Sequence, residues 1–149
     1  MKKLLVTLAV VSLTAALAAG IGLAAVQSGG TKKLSAKLTA AREVPKPKGV
    51  PAGATGKFTG TLKGRKLTFK LTFAKLSGKA LSAHIHKGKV GKAGAVIVPL
   101  CGPCKSGVAK TVTVSSDVRD LIERNRTYVN VHTAKNQAGE IRGQVKSTE

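Results

Sequence analysis

Alternation of apolar and polar residues is the dominant pattern of this chain from residue 34 onward. The clearest run places four apolar side chains at every second position, namely Leu67, Phe69, Leu71 and Phe73. A period of two is typical of a β-strand that buries one face and exposes the other. Gly64 and Arg65, which separate this run from a similar one before it, predict a β-hairpin. A sheet packed over an apolar core is therefore expected.

The remaining segments predict further strands and one helix. Alternating or short apolar runs lie at residues 33–44, 57–63, 66–76, 82–86, 95–100, 107–114, 127–133 and 139–145. Helical spacing occurs where Val118, Leu121 and Ile122 follow Ser116, a residue type that commonly caps a helix N-terminus. These elements predict an all-β protein, an antiparallel β-sandwich with one short helix.

The N-terminal region has a different composition. Two lysines precede an uncharged apolar run over residues 4–26, which predicts a signal peptide at residues 1–27. Because the run is longer than a typical signal core, an uncleaved N-terminal anchor is the alternative. A short linker is expected at residues 28–33 and a single folded domain at 34–146. The protein is therefore expected to be secreted or extracytoplasmic, at the cell envelope.

The net charge of the chain indicates which classes of partner the protein can attract. The chain has 26 lysine and arginine residues against six aspartate and glutamate residues, a net charge of +20. This charge favours anionic envelope polymers, or an extracellular protein, as partners. The even spread of the lysines is also typical of a sheet that uses them for solubility and edge protection. With three phenylalanines and one tyrosine, the chain lacks an aromatic platform for specific nucleic-acid binding, and membrane contact is expected only through an uncleaved N-terminal segment.

The three histidines of the chain lie on two of the predicted strands. His84 and His86 are two residues apart and therefore share one face of a strand, and His132 lies on the polar face of another. Three imidazoles that converge predict a mononuclear copper or zinc site. The alternative is a metal-free polar network of half-buried side chains. The residues expected around either arrangement are Asn130, Glu140 and Arg142, with Glu140 orienting an imidazole in the metal site.

Two motifs carry a family resemblance. The sequence His84-Ile85-His86 is followed by a G-x-x-G turn, and the sequence YVNVHT is followed by GEIRGQ. Together they resemble the CHRD (chordin-type) domain family over roughly residues 34 to 146. The resemblance implies a secreted Greek-key β-sandwich that is immunoglobulin-like or superoxide-dismutase-like. It implies no established activity, and three histidines are too few for the bimetallic centre of a copper–zinc dismutase.

Cys101 and Cys104 form a C-x-x-C motif. The same tetrapeptide, Cys-Gly-Pro-Cys, occurs in thioredoxins, but there the first thiolate lies at a helix N-terminus, and this motif precedes a predicted strand. A structural disulfide in an exported protein is therefore expected. The sequence leaves open a third arrangement, in which the two thiolates join the histidines around one soft metal ion.

No catalytic motif accompanies these features. The chain has neither a G-x-S-x-G sequence nor a phosphate-binding glycine loop, and its closely spaced carboxylates, Asp117, Asp120 and Glu123, suit a solvated helix face. The protein is therefore expected to be a non-enzymatic binding or interaction module of the cell envelope or extracellular space. The alternative is a mononuclear copper- or zinc-binding protein that uses the three histidines, and no other cofactor is expected.

Overall fold

The computed structural model describes residues 30–149, which form nine strands and one α-helix. The strands are β1 (Lys32–Thr39), β2 (Thr55–Lys63), β3 (Lys66–Ala74), β4 (Ala80–Lys87), β5 (Val96–Cys101), β6 (Val108–Thr113), β7 (Thr127–Thr133), β8 (Ile141–Gln144) and β9 (Lys146–Thr148). The helix α1 (Ser116–Glu123) connects β6 to β7. The prediction of an all-β protein with one short helix is confirmed. The predicted signal peptide or anchor lies outside the described residues, and β1 begins within the predicted linker.

The strands form one continuous antiparallel sheet rather than two separate sheets. They follow the order β5-β4-β7-β8-β1-β2-β3-β6, and β9 pairs with the end of β1 that β8 leaves free. The predicted hairpin at Gly64 and Arg65 is present, because Lys63 pairs with Lys66. Hairpins combine with the non-local pairs β4–β7 and β3–β6, as in Greek-key folds. The sheet curls into a nearly closed, barrel-like sandwich that stays open between β5 and β6.

The inner face of the curved sheet holds the apolar core. Leu67, Phe69 and Leu71 of β3 are at most 2% exposed, and the ring of Phe69 stacks on that of Phe58 with centroids 5.8 Å apart. Phe73, the fourth apolar residue of the alternation, is only partly buried. Its exposure follows from the pairing of β3 with β6, which ends at Leu71 and leaves Phe73 beside the open seam.

The helix begins one residue earlier than its sequence signal suggested. Ser115, not Ser116, is the N-cap, and its Oγ accepts a hydrogen bond from the amide of Val118 at 3.3 Å. A cap side chain accepts from the amide two or three positions later, which suits Ser115. Ile122 of the helix is fully buried in the core. Within residues 30–149, no helix is both long and apolar enough to cross a membrane.

Two strands are shorter than their sequence patterns, one at its C-terminal end and the other at its N-terminal end. The strand predicted over 33–44 ends at Thr39, where a 3-10 turn follows, and the strand predicted from Gly139 begins at Ile141. Glu43 and Glu140 therefore lie beyond strand ends. Alternation no longer decides which way such side chains point, and both carboxylates are buried.

Candidate functional site

The three histidines meet on the outer face of the sheet because β4 and β7 are antiparallel neighbours. In the register of this pair, His84 lies opposite Asn130 and His86 lies opposite Tyr128. His132 is two residues beyond Asn130, which places it diagonally across from His84. One nitrogen atom from each histidine can be chosen so that all three lie within 4.8 Å of one another.

Backbone carbonyl groups determine which imidazole nitrogens carry a proton. The Nδ1 atom of His86 lies 2.8 Å from the carbonyl oxygen of Gly94, and the Nδ1 atom of His132 lies 2.8 Å from that of Gln137. A carbonyl oxygen can only accept, so both Nδ1 atoms carry the proton and both Nε2 atoms keep a lone pair. Metal-binding histidines are commonly oriented by contacts of this kind. Every residue has a backbone carbonyl group, so the sequence could not indicate that those of Gly94 and Gln137 contact the imidazoles.

The two Nε2 atoms that keep a lone pair differ in their contacts. The Nε2 atom of His132 is 3.1 Å from Nδ1 of His84. The Nε2 atom of His86 is buried and has no hydrogen-bond partner among the described residues. An orphaned buried nitrogen of this kind is uncommon, because burial without a partner is unfavourable. A bond to a metal ion would give the Nε2 atom of His86 the partner that it lacks.

The nitrogen spacing suits one metal ion after a small movement of the rings. Two nitrogens that bind one zinc ion at about 2.0–2.1 Å lie about 3.4 Å apart at a tetrahedral angle. The His84–His132 pair at 3.1 Å is close to this value, whereas separations in the cluster reach up to 4.8 Å. At the widest separation, one ring must therefore move inward by about 1.4 Å. His86 and His132 are only 8% and 9% exposed and His84 is half-buried, so the site opens to solvent beside His84.

Arg142 and Tyr128 support the histidines from one side. The ring of Tyr128 stacks on His86 with centroids 4.9 Å apart, and the guanidinium carbon of Arg142 lies 3.4 Å from the Tyr128 centroid. Arg142 is 2% exposed, and its Nη2 donates to the carbonyl oxygens of Lys89 and Lys92 at 3.0 and 2.8 Å. These bonds fasten the loop after β4, and the same loop supplies the Gly94 carbonyl that orients His86.

A buried carboxylate that the sequence patterns did not single out, Glu43, lies close to Asn130. Glu43 is 1% exposed; its Oε1 accepts from the amide of Val44 at 3.0 Å, and its Oε2 has no hydrogen-bond partner among the described residues. Burial raises the pKa of Glu43, although the Val44 amide and the charge of Arg142 act against the rise. The side chain of Asn130 lies close to both Glu43 and His86, and its Nδ2 donates to the carbonyl oxygen of Ala138 at 3.4 Å. The only signal in the sequence was that Glu43 is one of six acidic residues.

The carboxylate of Glu140 is bound elsewhere, so the expectation that it orients an imidazole is not met. It accepts from the amide of Ser77 at 2.6 Å, from the Thr133 hydroxyl at 2.5 Å and from the Asn136 amide group at 3.1 Å, and it also bonds the Ser77 hydroxyl. Burial alone raises the pKa of Glu140, but these hydrogen bonds outweigh it and lower the pKa. Glu140 therefore joins the loop before β4 to the loop after β7.

The metal-free protein is expected to lose stability as the pH falls from 6.5 toward 4, because burial lowers the pKa of all three histidines. Repulsion from the other two lowers the pKa of His84 further, to about 4 from 6.5. In this range the unfolded chain binds protons that the folded chain does not, so the free energy of unfolding decreases. Thermal unfolding in a chelator at about pH 7 and about pH 5 measures the loss, which should be smaller in His84→Gln. An equal loss in both proteins would contradict this assignment.

The cysteines lie apart from this site. Cys101 and Cys104 form a disulfide, as the sequence predicted, and Cys101 pairs with Ala83 of β4. Ala83 faces the core, whereas its neighbour His84 lies on the outer face, so the disulfide and the histidines are on opposite faces of the sheet. The arrangement in which thiolates and histidines share one metal ion is therefore wrong. The strand β6 follows the motif, so the helix of a thioredoxin site is missing here.

Comparison with known families confirms the resemblance carried by the two histidine-containing motifs. The family model described as CHRD domain matches residues 34–145, which is most of the chain. No curated protein and no solved structure shows significant similarity to the chain. CHRD domains are extracellular-type binding domains rather than enzymes. By the extent of this match, the chain belongs to the CHRD domain family.

Proposed function

We propose that this protein is a secreted or envelope-held, non-enzymatic binding module that binds one copper or zinc ion through His84, His86 and His132. The observation that carries the proposal is the orientation of the imidazoles. Two carbonyl oxygens hold the Nδ1 protons of His86 and His132. This leaves the Nε2 atom of His86 without a partner among the described residues and the Nε2 atom of His132 bonded to Nδ1 of His84, the third residue of the proposed site. A metal ion bound there would act as a Lewis acid or, if it is copper, exchange an electron.

The donor atoms favour copper or zinc over other metal ions. The cluster consists of imidazole nitrogens alone, and the carboxylate of Glu140 is occupied by its bonds to Ser77, Thr133 and Asn136. Imidazole suits zinc and copper, whereas magnesium and calcium prefer oxygen ligands. Three protein ligands leave one coordination position for water or a ligand. The half-buried His84 provides the opening to solvent.

Metal titration with elemental analysis tests the proposal on protein purified without a histidine tag. We expect one equivalent of copper or zinc in the wild type. Each of His84→Ala, His86→Ala and His132→Ala should weaken binding by more than about 100-fold, since loss of the outer partners of a metal ligand already costs roughly 10–100-fold. The chain has only these three histidines, so no imidazole outside the proposed site contributes to background binding.

Lys135→Ala is the matched control, because Lys135 is an exposed residue of the loop that carries Gln137. Its metal affinity should equal that of the wild type. Binding at background level in the wild type, or an affinity equal to that of the wild type in all three histidine variants, would overturn the metal site and leave the histidines as a structural polar network.

The high positive charge favours a second ligand class, anionic envelope polymers. The net charge of +20 attracts polyanions through interactions that salt screens within about 10 Å at 0.1 M. The histidine variants separate the two functions. Binding of heparin, used as a polyanion probe, should fall steeply with added salt and stay unchanged in His132→Ala. Metal binding should instead change little with added salt and be lost in His132→Ala.

A further inference from the structure

A groove lies beside the end of β3, beyond Leu71, where the pairing of β3 with β6 stops. It has a volume of about 1030 Å³, at the upper end of the roughly 300–1,000 Å³ of small-molecule sites. It runs between the end of β3 with its following loop and the loop that joins β5 to β6. The groove exists because β5 and β6, the two end strands of the sheet, do not pair with each other.

The floor of the groove is apolar. Phe73, Leu76 and Val108 are only partly buried against the core, and the Cys101–Cys104 disulfide lies beside them. In a closed barrel a facing strand would cover these side chains. Because the strand is missing, the apolar surface they expose is available to an alkyl chain of a ligand.

The rim of the groove carries only positive charge. Four exposed lysines line it, namely Lys75, Lys79, Lys105 and Lys110, and no carboxylate is present among the described lining residues. Lys110 lies on the same face of β6 as Val108, so its ammonium group extends from the apolar floor itself. A second groove that carries Lys37 and Lys57 joins the first at Phe73.

The walls of the groove are already formed by hydrogen bonds. The amide of Phe73 donates to the Ser106 hydroxyl at 2.8 Å, and the amide of Gly107 donates to the carbonyl of Leu71 at 2.9 Å. On the other side, the amide of Cys104 donates to the carbonyl of Ala80 at 3.0 Å. A ligand therefore meets a wall that needs little ordering on binding, which favours affinity.

We propose that this groove binds a single-chain anionic amphiphile, with the alkyl chain on Phe73, Leu76 and Val108 and the headgroup among the lysines. The charge of the rim selects an anionic headgroup, and the floor selects an alkyl chain over a small anion. The site is separate from the histidines, none of which lines it. The proposal therefore does not depend on metal binding.

Calorimetric titration tests ligand binding in the groove. The protein is expressed from the full-length sequence and is used in the form that is purified from the cells. The probes are dodecanoate, dodecyl phosphate, dodecanol and butyrate, each below the concentration at which it forms micelles. We expect dodecanoate and dodecyl phosphate to bind at one site, dodecanol to bind at least about tenfold more weakly, and butyrate not to bind. The stronger of the two anionic probes identifies a fatty carboxylate or a lipid phosphate as the better headgroup.

Two variants and a matched control place the binding in the groove. Leu76→Gln removes apolar floor, and the double variant Lys105→Glu/Lys110→Glu reverses two rim charges; each should weaken dodecanoate binding by about tenfold. Lys63→Glu/Lys146→Glu makes the same change of net charge at exposed positions outside the groove and should bind as the wild type does. Equal weakening in this control, equal binding of dodecanol, or absence of binding by both anionic probes would each overturn the proposal.

Discussion

Replacement of Arg142 by lysine is expected to lower the free energy of unfolding by about 2–4 kcal/mol. The guanidinium is 2% exposed, lies 3.4 Å from the Tyr128 ring centroid and donates to two carbonyl oxygens of the loop after β4. A lysine ammonium is a compact, strongly hydrated charge that cannot reproduce the planar stack and both hydrogen bonds together. Chemical denaturation of the wild type and the variant measures the change.

The same substitution is expected to weaken copper or zinc binding by about 10–100-fold, the range seen for partners that orient metal ligands. The loop that Arg142 fastens carries the carbonyl of Gly94, which holds the Nδ1 proton of His86. Arg124→Lys, at an exposed position just after α1, is the control and should change neither quantity. An Arg142→Lys variant as stable as the wild type would show that the loop is held without the guanidinium.

Replacement of Glu140 by glutamine is expected to lower the free energy of unfolding by about 2–4 kcal/mol without affecting the metal site. The carboxylate accepts from the backbone and hydroxyl of Ser77, from Thr133 and from Asn136. Hydrogen bonds to a charged acceptor are worth about 1.5–3 kcal/mol each, and the amide end of glutamine places a donor where donors already point. Thermal and chemical unfolding at neutral pH measure the loss.

The stability difference between this variant and the wild type should shrink in acid. Hydrogen bonds lower the pKa of Glu140 below 4.5, so the stabilisation they provide is present above that pH and is lost as the pH falls through the lowered pKa. Glu123→Gln, at an exposed position of α1, is the control. If Glu140→Gln weakened metal binding as strongly as Arg142→Lys does, the carboxylate would have the orienting role that its contacts do not support.

Local sequence patterns predicted the parts of this fold that depend on neighbouring residues. The alternation in β3, the turn at Gly64 and Arg65 and the helical spacing around Leu121 each follow from backbone geometry over a few residues. The disulfide likewise joins residues only three positions apart. The shared face of His84 and His86 is a consequence of the same period of two.

The environment of the site depends on contacts that are distant in sequence. Alternation predicted one apolar and one polar face for β7, and all seven of its residues are buried, those of the polar face included. The loops that carry Gly94 and Gln137 cover that face and supply carbonyl oxygens to the imidazoles. Loop closure over a strand is decided by side chains such as Arg142, which bonds residues about fifty positions away. Periodicity contains no information about such contacts.

The sequence by itself determined that this is an all-β domain with a C-x-x-C disulfide and with three histidines on the polar faces of two strands, because the period-two pattern and the residue types are local properties of the chain. Only the tertiary structure decided that β4 and β7 are neighbours, that Glu43 is buried, and that Glu140 bonds Ser77 and not an imidazole. The reason is that strand order and the burial of residues beyond strand ends are set by packing between distant segments.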